Sequence, residues 1–504
     1  MKIQFHGFRE LITLNPGVFR ELNQQNTLDT MISLSDIVDE KKKKEFEEQG
    51  YIAGYTAEAW SKEYPFIDPK YVLCPRTVLF PASLVYYDQE HYICFELHIY
   101  AGGMMIPPTP GRNEMSFSDM LKNRIEAGFK DYENKEYRKL LMPMASEESG
   151  NIAIHILRNM LEREEPSPEL YRAFLSIYTL CNCGAHLLGA TALERLRECK
   201  SEEQIKETNE KLSQFEGDSL TVYRGEASES TPYQEACSWT TDINKAYFFA
   251  SWRSAEDSRV LTGTVSKADI IDYIDDRNEH EVLVVPGAVK HVKQQRCVEW
   301  DMVQKVVAAE MFDKSHKFPK ESLIRNIMSE LDDVYGDVDV EDHDKMHSLR
   351  VAILANYMYR MDVLLEAQSS KAKYQAACQV LADLSRAIVY HDAGRDDNTP
   401  NSEHGAVGYE RFKKAHGKNP TVQFLTTYHC REDEEARAYW EKNFTGKNAE
   451  TIWRAFCILK DADALDRVRF GSLSGDYVDV SMLRSDTAKT LLPVAHQLVD
   501  AKIQ

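Results

Sequence analysis

The stretch Glu279-His280-Glu281-Val282-Leu283-Val284-Val285-Pro286 places two acidic residues directly before an apolar run that ends at a proline. An apolar, β-branched run bounded in this way predicts a buried β-strand. In an extended chain, side chains two residues apart point to the same side. The spacing therefore predicts that Glu279 and Glu281 enter one cleft, and like charges this close are costly unless a site uses them.

Two further β-runs precede this stretch and carry polar side chains. Leu220-Thr221-Val222-Tyr223 leads into Arg224-Gly225, so a guanidinium is expected at a strand end, where it suits a pyrophosphate or a ribose. Ser238-Trp239-Thr240 places two hydroxyls on one side of a strand, where one hydroxyl could orient a carboxylate. Taken singly, each piece is equally compatible with a surface arginine, a threonine-rich strand or a solvated acidic turn.

In this order the pieces resemble the R-S-E class of mono-ADP-ribosyltransferases, whose core carries an Arg, a Ser-x-Ser/Thr motif and a Glu-x-Glu motif. The resemblance spans residues 115–300 and includes a helical lobe, where Ala153, Ile156, Leu157 and Met160 recur at helical spacing. It implies a fixed carboxylate that stabilises an oxocarbenium-like state of NAD. The implied roles are NAD binding for Arg224, Gly225, Ser238 and Thr240, catalysis for Glu281 with Ser238 positioning it, and selection of an arginine acceptor for Glu279.

Histidine and aspartate are concentrated in the last third of the chain. Six of the 15 histidines lie between His343 and His429, in segments with helical periodicity. His391 and Asp392 are adjacent at the end of an apolar helix. Imidazole nitrogen and carboxylate oxygen suit Mn, Fe, Mg or Zn in an open hydrolytic site. Any one of these histidines, taken alone, is better explained as a core or surface residue, and it is the adjacent His-Asp pair with ligand candidates on both sides that favours a metal site.

Over residues 321–504 the pattern resembles the HD phosphohydrolase superfamily, an all-α bundle with an H…HD…D ligand set. The resemblance implies that His347, His391, Asp392 and Asp463 bind a metal, and that His404 and His429 bind a second one. Asp463 is preferred to Asp461 because it stands in an Ala-Asp-x-Leu context. Arg395 and Asp396 occupy the place of the Glu-Asp pair of guanosine-tetraphosphate hydrolases, which argues against an alarmone substrate.

With both predicted domains in one chain, the architecture resembles that of SidE-type bacterial effectors, which join an ADP-ribosyltransferase to a phosphodiesterase. The order of the two domains in those effectors is the reverse of the order here. Such enzymes ADP-ribosylate ubiquitin on arginine and then cleave the pyrophosphate to attach phosphoribose to serine. Their phosphodiesterases are metal-free, and the catalytic set is two histidines and a glutamate, with a Gly-Arg-acid stretch like Gly394-Arg395-Asp396. The intact pair His391-Asp392 argues instead for a metal in this chain. This resemblance implies catalytic roles for His343 and His429, and ubiquitin or another host protein as the protein substrate.

Composition limits the remaining possibilities. The chain has 504 residues, a formal charge of −20, 43% hydrophobic and 28% charged residues, which predicts two or three globular domains. The acidic charge argues against a broad nucleic-acid or anionic-membrane surface. We expect no signal peptide and no membrane span. The ten scattered cysteines, with a packed Cys181-x-Cys183 pair, favour a reducing compartment, either the cytoplasm or a host cytosol that receives an effector.

The predicted fold class is α+β and multidomain. Residues 1–112 are a mixed α/β region of unassigned role, residues 113–312 an ADP-ribosyltransferase domain with a helical lobe and a β-sandwich core, and residues 321–504 an all-α HD domain. The expected function is NAD-dependent ADP-ribosylation of a protein arginine, with an HD phosphodiesterase that processes the ADP-ribose pyrophosphate. Two alternatives stay open: an HD nucleotide phosphohydrolase with a degenerate NAD- or protein-binding first half, and a non-catalytic HD adaptor.

Overall fold

The structure is a computed structural model that describes residues 28–76, 82–101, 104–106, 117–142, 150–180, 185–228, 230–251, 257–275, 278–312, 330–331, 333–335, 343–395, 402–470 and 478–500. The described residues are mixed α+β, and all of their strands precede residue 297. Two compact units divide the chain: Met1–Thr221, Thr231–Thr241 and Thr264–Lys290 form the first, and Val222–Ser230, Asp242–Gly263 and His291–Gln504 the second. Asp396, the pair Cys181-x-Cys183 and the domain boundaries predicted near 112 and 313–320 fall outside the described residues, and those boundaries stay predictions.

The first unit begins with a five-stranded antiparallel sheet. Its strands, in the spatial order β1-β2-β3-β4-β5, are β1 (Ile32–Ser33), β2 (Val72–Cys74), β3 (Ala82–Asp88), β4 (Ile93–Ala101) and β5 (Met104–Ile106). Tyr86 on β3 pairs with Phe95 on β4, and their rings stack with centroids 4.9 Å apart. Two short helices, α1 (Glu40–Glu48) and α2 (Ala57–Glu63), lie between β1 and β2 in sequence.

Helices follow this sheet in the first unit. They are α3 (Phe117–Glu133), α4 (Tyr137–Leu141), α5 (Gly150–Arg163), α6 (Pro168–Tyr178), α7 (Gly189–Cys199) and α8 (Glu202–Ser213). The predicted helical periodicity is confirmed in α5, where Ala153, Ile156, Leu157 and Met160 are all buried. Local signals fix the starts of other helices, since the Ser167 hydroxyl caps α6 and Ser201 with Gln204 forms a capping box on α8.

Short strands and two helices then alternate. They are β6 (Ser219–Glu226), β7 (Ser238–Thr240), α9 (Ile243–Ser251), β8 (Arg259–Ser266), β9 (Ile270–Ile274), β10 (Glu281–Val284), β11 (Lys290–Arg296) and α10 (Trp300–Phe312). The predicted strands at 220–223, 260–265 and 282–285 correspond to β6, β8 and most of β10. In the first unit β10 pairs with both β7 and β9 in antiparallel register. In the second unit the order is β11-β8-β6.

The C-terminal part of the second unit is helical. Its helices are α11 (Lys345–Tyr359), α12 (Leu365–Ala367), α13 (Lys371–Tyr390), α14 (His404–His416), α15 (Pro420–Tyr428), α16 (Asp433–Asn443), α17 (Ala449–Leu465), α18 (Asp486–Thr490) and α19 (Leu492–Asp500). Backbones approach closely at two glycines of α14. A Cβ on Gly408 would lie 2.1 Å from the Tyr390 carbonyl oxygen, and one on Gly405 would lie 2.3 Å from that of Thr426. These glycines therefore let α14 pack directly against the ends of α13 and α15.

Two findings bear on the expected environment of the chain. The eight cysteines within the described ranges all have free thiols. Of the helices that the structure describes, none has the length and apolar character needed to cross a bilayer.

Candidate active sites

Glu281 is the first residue of β10, and only 6% of its surface is exposed. It pairs with Thr240 on β7, which makes Ser238 its diagonal neighbour on the same face of the sheet. The Ser238 hydroxyl donates a hydrogen bond to Oε1 of Glu281. The Tyr178 hydroxyl, at the end of α6, donates to the same oxygen. One oxygen of a buried carboxylate is therefore held by two hydroxyl groups, which fixes the orientation of the other oxygen.

Tyr178 was not among the residues predicted from the sequence. Burial raises the pKa of its hydroxyl well above the usual value, and the neighbouring Glu281 raises it further. Tyr178 therefore stays neutral and acts as a donor. Its position at the end of an apolar, periodic helix gave no sign of this role, because its partner lies 103 residues further along the chain.

The predicted reason for Glu279 and Glu281 sharing a side is wrong, because the chain between them is not extended. His280 has a φ of 49°, in the left-handed region that few side chains adopt. Hydrogen bonds hold this turn: Thr240 Oγ1 donates to the Glu279 carbonyl oxygen at 2.7 Å, and the His280 N–H donates to Asp275 at 3.1 Å. Glu279 is half-buried. The Thr240 hydroxyl supports this turn, and its predicted role in binding NAD stays a prediction.

Arg224 and Gly225 lie within β6 rather than beyond its end. The Nε of Arg224 donates to one oxygen of Glu226 at 3.0 Å, and Arg259 donates to the other oxygen at 2.9 Å. Glu226 is only 1% exposed, so a buried carboxylate joins two guanidinium groups. Gly225 allows close packing, since a Cβ there would lie 1.9 Å from the Ala246 carbonyl oxygen on α9. Glu226 and Arg259 were not predicted, because nothing in their local sequence marks them.

Arg259 also lines a surface cleft of the second unit. The cleft has a volume of about 390 Å³, and its other lining residues are Asp257, Gln294 and Arg296. Arg296 forms ion pairs with Asp257 and Glu299, at 2.9 and 2.6 Å. These partners balance much of the positive charge in the cleft.

All six predicted metal ligands meet in the second unit, in a group that we call the histidine centre. Helix ends supply most of them: one ligand opens α14, three directly follow α13 or α15, and two lie within α11 and α17. The carboxylate of Asp344 caps α11 by accepting the backbone N–H of His347 at 2.8 Å. The members of the histidine centre are His347, His391, Asp392, His404, His429 and Asp463.

Asp392 lies between two halves of the histidine centre. Its Oδ2 lies 3.4 Å from Nε2 of His347 and 3.7 Å from Nε2 of His391. Its Oδ1 lies 3.1 Å from Nε2 of His404 and 3.6 Å from Nε2 of His429. Asp463 belongs to the first half, with Oδ1 3.4 Å from Nε2 of His347. Each oxygen of one buried carboxylate therefore faces its own pair of imidazoles.

Outer contacts orient three of the rings. Nδ1 of His391 lies 2.7 Å from the Ile388 carbonyl oxygen, and Nδ1 of His429 lies 2.7 Å from that of Thr426. Nδ1 of His347 lies 2.7 Å from Asp466. An Nδ1 that faces an acceptor carries the proton, which leaves the Nε2 lone pair directed at the centre. Arg350 binds both oxygens of Asp466, at 2.6 and 2.9 Å, and thereby holds this contact in place.

The donor set fits a divalent metal. Nε2 of His347 lies 3.1 Å from Nε2 of His391, and Nε2 of His404 lies 3.0 Å from Nε2 of His429. Two lone pairs this close need a proton or a cation near them. Among the described residues, His347, His391 and Asp463 offer ligand atoms within 4.8 Å of one another, and so do His391, Asp392 and His429. Nitrogen and oxygen donors in this arrangement suit Mn, Fe or Zn.

The pKa values in the histidine centre depend on the burial of each side chain and on the charged groups next to it. Burial lowers the pKa of His391 to about 3. Burial also opposes the charged form of His347, but Asp392 and Asp463 outweigh it and raise the pKa of that imidazole well above its usual value. Burial would raise the pKa of Asp392, but His391 and His347 hold it well below its usual value. Positive charge is therefore favoured at the points where the carboxylates and Nε2 atoms converge.

Asp461 and Asp463 have different roles. Asp461 accepts the backbone N–H groups of Arg484 and Ser485 at 3.0 Å and also binds the Arg484 guanidinium. It therefore ties α17 to the segment before α18. Asp463, the residue preferred on its sequence context, is the one that reaches the histidine centre.

Three more side chains lie beside the histidine centre. His343 was predicted as a catalytic residue, and Arg395 was noted in the sequence. Nε2 of His343 lies 3.8 Å from Asp392, and burial lowers the pKa of His343 to about 4, so this imidazole is neutral. The guanidinium of Arg395 donates to Asp392 at 3.0 Å, and that of Arg469 lies 3.5 Å from His343. Arg469 was not predicted, because nothing in its local sequence marks it.

Cys430 contacts the second half of the histidine centre, which contains His404 and His429. It was not predicted from the sequence. Burial raises the pKa of its thiol, but the hydrogen bond with His404 and the imidazole of His429 lower it to about 7. The only signal in the sequence was its position directly after His429.

Comparison of the chain with protein-family models, with curated proteins and with solved structures found no match. The proposals below therefore depend on the residues and geometry described above.

Proposed function

We propose that the second unit is a metal-dependent phosphodiesterase or phosphohydrolase, as the resemblance to the HD superfamily implies. The observation that carries the proposal is the division of Asp392 between two pairs of imidazoles, at 3.1 to 3.7 Å. A carboxylate shared in this way suits two neighbouring cations. In the proposed centre, His347, His391, Asp392 and Asp463 hold one metal, and Asp392, His404 and His429 hold the other.

The chain's own groups would divide the remaining work. A bound divalent metal makes coordinated water nucleophilic near neutral pH and polarises a phosphoryl oxygen. Arg395 and Arg469, at the rim, offer planar donors that suit the phosphate of a substrate. Neutral His343, 3.8 Å from Asp392, is placed to transfer a proton to or from a reacting oxygen.

Metal dependence tests this proposal directly. Treatment with a chelator should abolish hydrolysis of a model phosphodiester by the full chain, and Mn, Fe, Mg or Zn should restore it. His404→Ala and His416→Ala make a matched pair at the two ends of α14, because His416 contacts Tyr390 and Glu330 instead of the histidine centre. We expect His404→Ala alone to lose metal and activity. Full hydrolysis by metal-free protein would refute the proposal.

We propose, as a second activity, NAD-dependent ADP-ribosylation of a protein arginine by the Glu281 site. The supporting observation is the buried Glu281 carboxylate, held through one oxygen by Ser238 and Tyr178. The bond between nicotinamide and C1′ of the ribose breaks, nicotinamide leaves, and a guanidinium nitrogen of the acceptor bonds to C1′ and loses a proton. Glu281 would stabilise positive charge on the sugar, and half-buried Glu279 would accept the proton.

NAD cleavage distinguishes this activity from the alternative, in which the N-terminal part of the chain is a degenerate NAD- or protein-binding module and only the hydrolase is active. The full chain is incubated with NAD, and release of nicotinamide is measured for wild type, Glu281→Gln and the exposed control Glu235→Gln. We expect release by wild type and by Glu235→Gln only. If the wild type releases no nicotinamide, the degenerate N-terminal module is favoured.

Coupling of the two activities, and ubiquitin as the target, follow from the resemblance to SidE-type effectors. Mass spectrometry of ubiquitin, or of proteins in a lysate, after incubation with the chain and NAD distinguishes the products. A phosphoribose adduct in wild type that becomes an ADP-ribose adduct in His391→Ala indicates coupled action. An ADP-ribose adduct in both indicates independent action.

A further inference from the structure

Among the described residues that could hold a metal in the histidine centre, Cys430 offers sulfur, whereas all the predicted ligands offer nitrogen or oxygen. Its ligand atom, Sγ, forms a group with ligand atoms of His404 and His429, all within 4.8 Å of one another. The backbone N–H of Gly405, in the first turn of α14, helps to lower the pKa of the thiol. The thiol in turn lies 3.2 Å from the Ser402 carbonyl oxygen, to which it donates.

We propose that His404, His429 and Cys430 form a thiolate-containing metal position that takes a thiophilic divalent cation, with Zn²⁺ as the best fit. This inference rests on the proposed metal-dependent function and specifies the chemistry of one half of the centre. Sulfur and imidazole ligands favour Zn²⁺, whereas oxygen-rich sites favour Mg²⁺ and Mn²⁺. Oδ1 of Asp392, 3.1 Å from Nε2 of His404, supplies an oxygen of the same carboxylate whose Oδ2 faces His347 and His391.

The packing of α14 on α15 brings these ligands together. A Cβ on Gly405 would lie 3.2 Å from the His429 ring and 2.3 Å from the Thr426 carbonyl oxygen. The lack of a side chain at Gly405 lets the first turn of α14 contact the residues that follow α15. An N–H at a helix N-terminus stabilises a thiolate, and so does a neighbouring imidazolium or metal. On metal binding, the thiol would release to solvent the proton that it donates to the Ser402 carbonyl oxygen, and the thiolate would bind the cation.

The two halves of the histidine centre therefore differ in ligand chemistry. His347, His391 and Asp463 supply nitrogen and oxygen, whereas His404, His429 and Cys430 supply nitrogen and sulfur. We expect the first half to accept several divalent metals and the second to prefer Zn²⁺.

Cobalt substitution tests this assignment without relying on enzyme activity. The full chain is stripped of metal, kept reduced and titrated with Co²⁺ alone. We expect visible cobalt bands and also a near-ultraviolet charge-transfer band from sulfur to cobalt. Cys430→Ser should lose the charge-transfer band, whereas His347→Ala should keep it. Cys378→Ser is the matched control, because Cys378 lies on α13 beside Arg360 and Tyr374.

Metal affinity gives a second readout. Cys430→Ser should weaken the binding of Zn²⁺ at the position formed by His404 and His429. The loss of affinity should be at least the roughly 10- to 100-fold that the loss of an outer contact causes. Visible cobalt bands without a sulfur band in the wild type would overturn the inference and leave the proposed hydrolase intact, and so would a band that survives in Cys430→Ser. No cobalt binding by the wild type would overturn both. Because the wild-type spectrum decides the main point, the test does not depend on the folding of a variant.

Discussion

The Glu281 site and the histidine centre each contain a buried carboxylate, but its surroundings differ. Glu281 receives two neutral hydroxyl donors on one oxygen, from Ser238 and Tyr178. Asp392 faces imidazole nitrogens with both oxygens and accepts a hydrogen bond from Arg395. Neutral donors orient a carboxylate without cancelling its charge, whereas clustered nitrogen lone pairs add to the demand for a cation. The first arrangement suits positive charge that develops on a substrate, and the second suits a resident metal ion.

Replacing the shared carboxylate should have the largest effect. Asp392→Asn keeps the shape of the side chain but removes the charge that both halves of the histidine centre share. We expect loss of metal from both positions and a fall in phosphodiester hydrolysis well beyond the roughly 100-fold effect of losing an outer contact. Metal analysis and hydrolysis rates measure this, and NAD cleavage should be unchanged. A variant that keeps its full metal content would show that Asp392 is not shared between two cations.

Neutralising the other carboxylate gives the converse result. Glu281→Gln can still accept hydrogen bonds from Ser238 and Tyr178 through its amide oxygen, but it carries no charge. Nicotinamide release should fall about 10²- to 10³-fold, the scale on which a group that stabilises transition-state charge contributes. Hydrolysis at the histidine centre should stay at the wild-type rate. An equal loss of both activities would point to a folding defect instead.

Substitutions of Asp466 and Asp461 separate two effects: the orientation of a metal ligand and the stability of the fold. Asp466→Asn weakens the contact that fixes Nδ1 of His347, so metal affinity should fall roughly 10- to 100-fold. Asp461→Asn loses charge-assisted hydrogen bonds to Arg484, which should lower the free energy of unfolding by about 1–3 kcal/mol. Calorimetric metal titration and denaturant unfolding separate the two variants. The opposite assignment holds if Asp461→Asn alone loses metal affinity.

The hydroxyl groups around Glu281 should give the smallest effects. Tyr178→Phe and Ser238→Ala each remove one of two donors to the same oxygen, so kcat for NAD cleavage should fall about 10-fold, with KM nearly unchanged, because a hydrogen bond to a charged group contributes about 1.5 kcal/mol or more. The double variant should lose more than the product of the single effects, since both of these hydroxyl donors are removed from one oxygen. Effects that simply multiply would show that the two hydroxyls act independently. A change confined to KM would place them in NAD binding.

Local patterns predicted much of the secondary structure and of the histidine centre. Most of β10 (Glu281–Val284) and the buried face of α5 follow from the apolar spacing of the sequence. His391 and Asp392 were found because they are adjacent. The prediction of an extended chain between Glu279 and Glu281 failed because His280 has a positive φ, which the alternation of residue types does not reveal. Thr240 donates to the Glu279 carbonyl oxygen and the His280 N–H donates to Asp275, and these bonds hold the turn.

Apolar spacing along the chain predicted several of the helices and strands, and residue type alone marked the side chains with metal-binding or acidic chemistry. Which of these side chains meet depends on the packing of segments that are far apart in the chain. Tyr178 contacts Glu281 across 103 residues, and His347 contacts Asp466 across 119. Close packing at Gly405 brings His404 and Cys430 together. Such contacts depend on how whole helices and strands pack, and a local pattern of residue types contains no information about distances between distant segments.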